Sequence, residues 1–425
     1  METIILEDNE VLEGKIYESF DNPEVLIKVK GDNVVIRNCR FFHPKNDFEC
    51  LIRIDGKNCL IESCVIGEID VNGCCIGLSR KENLESPDYC VINSCLFMNR
   101  RSSGKNGAEA IRLGWSGTSL TGIGNNMVIN NRFENWSGEI EGISVKCCNN
   151  IIFNNEMMGC ESTITLRHGK NNIVSHNYID GKNMKGSGGI RVIDSNHYIT
   201  DNIIMNILGD KKNRVGITLI NGKQDTEING YYPIKNCVII NNLFIKCNVA
   251  MALGYAIKGN TELPSDIVIE DNIFDNCERI FSNNGECKGL RIKSIFNNIS
   301  MNTVEKNDGI VYNDKFWYNI DYLRHKEDTL KYDVMEESIR NYTRPKNSMG
   351  DSKNESKKPL PKTPELTPEL NIECDLIITD NEEKDEIVGN PLQLGIKMLE
   401  FYEARRQVQI NTEIMNRLIK ELELV

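Results

Sequence analysis

One pattern of positions repeats along most of the chain: an apolar residue, two variable residues, Asn or Cys, one variable residue, and a second apolar residue. It opens at Ile36-Arg37-Asn38-Cys39-Arg40-Phe41 and returns at residues 61–66 with Cys64 and at residues 92–97 with Cys95. It continues at residues 128–133 with Asn131 and 152–157 with Asn155, and later copies place Asn177, Asn202, Asn242, Asn272 and Asn298 in the same slot. The slots stand roughly 22–40 residues apart, the length of one solenoid coil with loops inserted in the longer gaps. Each copy alternates apolar and polar residues, which is strand periodicity. Strands this short cannot bury a face alone, whereas coils stacked at about 4.8 Å can. The pattern predicts an all-β chain, a single-stranded right-handed parallel β-helix of about ten coils. Asn at the repeated turn tolerates the left-handed conformation and can hydrogen-bond to its counterpart in the next coil, so the Asn/Cys column is structural.

A second strand type lies between these copies: Ala110-Ile111-Arg112-Leu113, Ile143-Ser144-Val145-Lys146, Ile164-Thr165-Leu166-Arg167, Ile190-Arg191-Val192 and Ile217-Thr218-Leu219. Their alternate apolar residues turn inward, so Arg112, Ser144, Lys146, Thr165, Arg167 and Arg191 face outward on one sheet and form a basic stripe. The stacking pattern weakens toward a closing segment, which places the β-helix with its cap at residues 1–345. Residues 346–389 begin rich in Pro, Lys, Ser and Glu and read as a linker. Residues 390–425 carry Leu392, Ile396, Leu399, Ile410, Ile414, Leu418 and Leu422 at helical spacing. That amphipathic helix either docks on the chain itself or serves homo-oligomerisation or attachment.

Composition narrows the setting. A chain of 425 residues with an ordinary apolar fraction is long enough for one large core and an appendage. The net charge of −12 disfavours nucleic acid as a partner and still permits a local basic groove for an acidic polymer. No run of about 18 apolar residues occurs, so no membrane partner is expected. The start, METIILEDNEVLEGKIYE, lacks the basic and apolar stretches of a secretion signal. With 16 cysteines, this implies reduced thiols and folding in the cytoplasm, in an intracellular, phage or large-virus setting. Cys74-Cys75 and Cys147-Cys148 are sequence neighbours, which rarely bridge, and no zinc-spaced pair occurs. The cysteines read as core or ladder residues.

Three stretches carry chemistry: Asn106-Gly-Ala-Glu109-Ala-Ile-Arg112, Glu139-Ile-Glu141-Gly-Ile-Ser-Val-Lys146 and Thr165-Leu-Arg167-His168-Gly169. With GGIR at residues 188–191, their order and spacing resemble polysaccharide lyase family 6, the family of alginate lyases and chondroitinase B, over roughly residues 30–300. The resemblance implies a calcium-assisted lyase acting on an anionic polysaccharide, alginate first and dermatan sulfate second. It implies that Glu139 and Glu141 bind Ca2+ with Asn106 as third ligand and Glu109 as a further acid beside it. Lys146 would be the general base, Arg167 the general acid, and His168 and Arg191 residues of the substrate groove. Arg112 either contacts substrate or pairs with Glu109.

The residues support this chemistry by themselves. Removing the proton beside a uronate carboxylate and expelling the 4-linked oxygen requires the carboxylate charge to be neutralised. Calcium does so and prefers carboxylate and amide oxygens. Glu139 and Glu141 precede an outward strand and can both reach one ion with Ile140 turned away. Lys146 ends that strand, and crowding by the ion and Arg167 favours the uncharged amine a base requires. Arg167 lies one coil along, placed to protonate or electrostatically assist the leaving oxygen. Trp115 and Trp136 either stack on sugar rings or lie buried under a loop. Two other functions share these features: a non-catalytic glycan-binding β-helix of a particle or cell surface, and a glycoside hydrolase using the acidic pair.

Overall fold

The computed structural model describes residues 1–80, 85–102, 104–118, 122–209, 213–257, 259–282, 290–296, 298–301 and 317–319. Each coil contributes one strand to each of three parallel sheets. The first sheet holds eleven strands, running from Ile4–Leu6 through Cys50–Ile54, Ile111–Leu113, Glu141–Val145, Thr163–Leu166 and Ile190–Val192 to Arg279–Ser282. The second runs in the same order from Val11–Glu13 to Ile292–Phe296, and the third from Ile16–Glu18 onward through Arg132–Trp136. This is the parallel β-helix expected from the repeat, with eleven strands in the first sheet where the repeat suggested about ten coils. The coils belong to the compact unit Met1–Trp317. The linker at 346–389, the helix at 390–425 and the boundary at 345 lie outside the described residues. Among the described residues no helix is long and apolar enough to cross a membrane.

Register makes the core. Ile27, Ile52, Ile76, Ile111, Ile143, Ile164, Ile190 and Ile217 are successive pairing partners, each fully buried. Burial of one such side chain stabilises the fold by about 1.5–3 kcal/mol. On the third sheet Phe97 stacks on Phe133 with centroids 4.8 Å apart, and Phe244 on Phe274 at 5.0 Å. The fourteen described cysteines are free and buried, as core and ladder residues should be.

The Asn column is a buried hydrogen-bond relay. Each Nδ2 donates to the Oδ1 of the next coil: Asn131 to Asn155 at 3.0 Å, Asn155 to Asn177 at 2.9 Å, Asn177 to Asn202 at 3.0 Å, and onward to Asn242 and Asn272. The main-chain N–H of Asn131 donates to that same Asn155 oxygen at 3.0 Å. One expectation is corrected. The left-handed residue is not the ladder Asn but the residue before it: Asn130, Asn154, His176, Asp201, Asn241 and Asp271 have φ between 51° and 56°. The turn needs one left-handed residue with its side chain outside. The following residue can then aim its amide inward. In the early coils Cys64 and Cys95 donate Sγ to carbonyls of the preceding coil, at 3.8 Å each. A second relay, Asn126 to Asn150 to Asn172, runs at the neighbouring turn.

Asn155→Ala would strand the N–H groups of Asn131 and cost about 1–3 kcal/mol. Asn154→Gly, at a φ of 51°, should cost a few tenths of that, because glycine adopts this conformation freely. Denaturant midpoints of the two variants check this, and equal losses would refute the assignment of roles.

Candidate active site

The first sheet presents an outward row in strict register: Lys28, Arg53, Gly77, Arg112, Ser144, Thr165, Arg191 and Thr218. Arg112 and Arg191 are therefore separated by two hydroxyl residues. The cations do not form an unbroken stripe. Lys146 and Arg167 follow the ends of the strands Glu141–Val145 and Thr163–Leu166, while Glu109 and Glu139 precede strands and Glu141 begins one. Strict alternation would put Glu141 on the same face as Ile143, inside. The register shifts between Glu141 and Ile143, and the extra residue is Gly142. This bulge turns Glu141 outward. Gly114, at φ 79°, lies so close to the main chain of Lys146 that a Cβ would sit 2.6 Å from its carbonyl oxygen. Glycine there lets the strand end carrying Lys146 pack down.

The charges form one interlaced cluster. Lys146 Nζ lies 3.6 Å from Glu109 Oε1, and Arg112 lies 3.7 Å from Glu109 Oε2. For Arg112 the pairing with Glu109 is thus realised. Glu141 receives Ser144 Oγ at 2.6 Å and faces Arg191 at 3.4 Å and Arg167 Nε at 3.9 Å. Arg191 also donates to Thr165 Oγ1 at 3.4 Å. Glu109 and Arg191 are each 3% exposed, Lys146 7% and Arg167 9%. Burying ion pairs like these adds little to stability relative to apolar residues, whereas breaking one costs about 3–5 kcal/mol. Such a cluster on the outer face of a solenoid makes a candidate functional site.

Burial alone would push Glu141 up, but Lys146, Arg191, the Ser144 hydroxyl and Arg167 together hold it below its ordinary value and keep it ionised. Glu139 goes the other way. Burial, then repulsion from Glu109 and Glu141, raise it to about 8 against the pull of the Ala108 and Gly107 amides, which donate to its Oε1 at 2.8 and 3.0 Å. His168 is fully buried, and neither ring nitrogen has a hydrogen-bond partner; the main chain of Thr118 approaches it without meeting that geometry. Burial, then Arg167 and Lys146, lower it to about 4, so the ring is neutral near pH 7.

A groove of about 840 Å³ runs past Asn106, Glu139 and Ile140. Ile140 lines the same groove as Glu139, whereas Glu141, Lys146, Arg167 and Arg191 do not line it. Among the described residues no three His, Cys, Asp or Glu side chains converge closely enough to hold a metal by themselves. Asn106 and Glu139 line the groove together, and the crowding of buried Glu139 by Glu109 and Glu141 is a condition that a hard cation held by oxygen donors would relieve. Trp136 is fully buried against Phe97 and Arg100, which rules it out as a sugar platform in this arrangement.

Sequence reasoning missed the groups around Arg167. Its NH1 and NH2 donate to the carbonyls of Gly230 and Asn229 at 2.9 and 2.7 Å, and its guanidinium lies 4.4 Å from the centroid of the Tyr231 ring. These partners lie in a loop without periodicity, so no pattern pointed to them.

The family model described as Chondroitinase B matches residues 27–341. No curated protein sequence matches the chain. Among solved structures, a PL6 alginate lyase in complex with a trisaccharide aligns with a TM-score of 0.54 and 19% identity, over 74% of this chain and 83% of that one. The PL6 alginate lyase AlyGC aligns with a TM-score of 0.58 and 19% identity, over 74% of this chain and 51% of that one. A mannuronic acid specific family 6 lyase from human gut microbiota gives 0.54 and 18%, over 80% and 88%. At these identities the structural likeness is one of fold.

Between the ordinary 4.5 and about 8, folded Glu139 holds a proton that the unfolded chain has released. The associated stability is complete below pH 4.5 and lost as pH rises through about 8. In chelator-treated protein the Tm should fall across this window, and Glu139→Gln should flatten the fall. A Glu139→Gln protein with the same slope would refute the crowding described here.

Proposed function

We propose, from the premise that this chain belongs to the Chondroitinase B family and is a polysaccharide lyase, that it cleaves a uronate-containing glycan by calcium-assisted β-elimination. Alginate is the first candidate substrate, because the solved structures it resembles in fold include alginate lyases, and dermatan sulfate is the second. The observation that carries this reading is the convergence of buried Lys146 and Arg167 on the acids Glu109 and Glu141 at the outer face of the sheet.

In the proposed reaction the C5–H and C4–O4 bonds of the uronate break and a C4–C5 double bond forms. Asn106, Glu139 and Glu141 would hold calcium, which when bound neutralises the substrate carboxylate. Lys146 Nζ takes the C5 proton as general base, and Glu109 at 3.6 Å stabilises the ammonium that results. Arg167 sets a positive charge against the departing 4-linked oxygen and, as general acid, gives it the proton with which it leaves, regaining one from solvent. Arg191, held by Glu141 and Thr165, orients the sugar, and neutral His168, fully buried, lies behind the cluster rather than against the substrate. The low exposure of this cluster limits water around the reacting atoms and strengthens each of these interactions.

The test is a panel of alginate blocks, dermatan sulfate and pectate, with and without calcium, scored by the ultraviolet absorbance of unsaturated product. Lys146→Ala should lower kcat by about 10²–10⁴-fold. Chelation should abolish turnover, and added calcium should restore it. Turnover that survives both changes would overturn the mechanism, and new reducing ends without unsaturation would indicate hydrolysis instead.

A further inference from the structure

The loop at residues 222–233 connects the first-sheet strand Ile217–Ile220 to the second-sheet strand Val238–Ile240 of the same coil and reaches back to Arg167. It is closed by its own hydrogen bonds: Lys223 N–H to the Tyr231 carbonyl at 2.8 Å, Gly230 N–H to Glu227 at 2.6 Å, and the Tyr232 hydroxyl to the Thr226 carbonyl at 3.1 Å. Its base is pinned where Gly222 and Glu262 exchange main-chain hydrogen bonds at 2.8 and 3.0 Å. From this frame the carbonyls of Asn229 and Gly230 accept from the two terminal nitrogens of Arg167, and the Tyr231 ring covers its guanidinium. The same loop reaches the turn after Arg167 by a second route. Asp194 N–H donates to the Tyr232 carbonyl at 3.4 Å, and the Asp194 carboxylate accepts the Gly169 N–H at 3.1 Å. One loop therefore grips both the side chain of Arg167 and the main chain two residues on.

This grip is more than ordinary packing. A free arginine side chain loses considerable rotamer freedom when fixed. Here two carbonyl acceptors and an aromatic face fix it together. The groups that fix it carry no formal charge, so the positive charge of Arg167 is left for the substrate and for Glu141 at 3.9 Å. Gly230 is sterically required: a Cβ there would lie 1.8 Å from Thr226 Oγ1 and 2.7 Å from Thr226 Cβ.

We propose that Tyr231, with the Asn229 and Gly230 carbonyls, is a positioning device that holds Arg167 as a fixed cation for the elimination step. The kinetic part of this inference rests on the lyase reading above; the structural part does not. Tyr231 acts through Arg167 and is a positioning residue. Misplacing a charge by a fraction of its reach weakens the transition state more than the ground state, so the effect belongs in kcat.

The experiment uses the full chain with calcium. Tyr231→Leu should lower kcat about tenfold or more while KM stays within about twofold. Tyr231→Phe, which keeps the ring, should recover most of that loss. On an Arg167→Ala background Tyr231→Leu should add nothing, because the two act as a unit. Gly230→Ala, which must displace the accepting carbonyl, should reproduce the loss without touching the ring. Independently of turnover, the Arg167 Nε–H resonance in protein carrying isotope-labelled arginine should move on Tyr231→Leu and hold near its original position in Tyr231→Phe. An unmoved resonance in Tyr231→Leu overturns the proposal, as does an equal loss of kcat with and without Arg167. Should the unaltered chain release no unsaturated product, the lyase mechanism falls, and the resonance still decides whether this loop holds Arg167.

Discussion

Parallel in-register stacking is the constraint on which everything else in this protein depends. Each residue of a coil lies directly over its counterpart in the next, so any property of a position is repeated along a column. Apolar columns such as the isoleucine stack from Ile27 to Ile217 gain from this repetition, and so do Asn columns, whose amide both donates and accepts. A column of like charges loses by it. The outward row on the first sheet shows the consequence: Arg112 and Arg191 are spaced by Ser144 and Thr165, and acids from the adjoining positions reach across to them. The fold thus permits a dense charged site only if its signs interleave.

The repeat was legible for the same reason that it stabilises. A column constrained to one kind of contact accepts few residue types, and Asn131, Asn155, Asn177, Asn202 and Asn242 betray it in the linear sequence. The sequence failed where a local device breaks the period. Alternation could not reveal how Glu141 escapes the interior, because the bulge at Gly142 adds a residue to one coil only. It placed the left-handed residue one position late, since Asn suits both jobs and only backbone geometry separates them. It could not find Tyr231 at all. That contact joins residues some sixty positions apart through a loop whose composition follows its own hydrogen bonds rather than the coil.

Candidate site residues were easier to read than their pairings. Lys146, Arg167 and Arg191 carry an outward parity or a motif position that survives without structure. Which acid meets which cation depends on side-chain reach across coils. Glu109 lies in the coil before Lys146 and pairs with it, while Glu141, in the same coil as Lys146, turns toward Arg167 and Arg191 in the following coils. Long side chains make such diagonal contacts accessible, and sequence spacing does not rank them.

The charged face also has a direction. Glu109, Glu139 and Glu141 lie at or before the starts of their strands, and Lys146, Arg167 and His168 just beyond the ends of theirs. Acids therefore start from one end of the strands and cations from the other, and their side chains reach toward each other, Lys146 to within 3.6 Å of Glu109 and Arg167 to within 3.9 Å of Glu141. Burial, with repulsion from Glu109 and Glu141, drives Glu139 up to about 8, while among the cations Glu141 stays below its ordinary value. Two carboxylates separated by one residue thus have opposite proton affinities, set by which charges each side chain meets. A uronate bound over this cluster would meet acids and cations side by side. If calcium binds among the acids as proposed, it relieves Glu139 and masks the sugar's charge at once. Elimination needs acid, base and fixed charge within reach of neighbouring atoms of one ring, and side chains reaching in from both strand ends bring them that close.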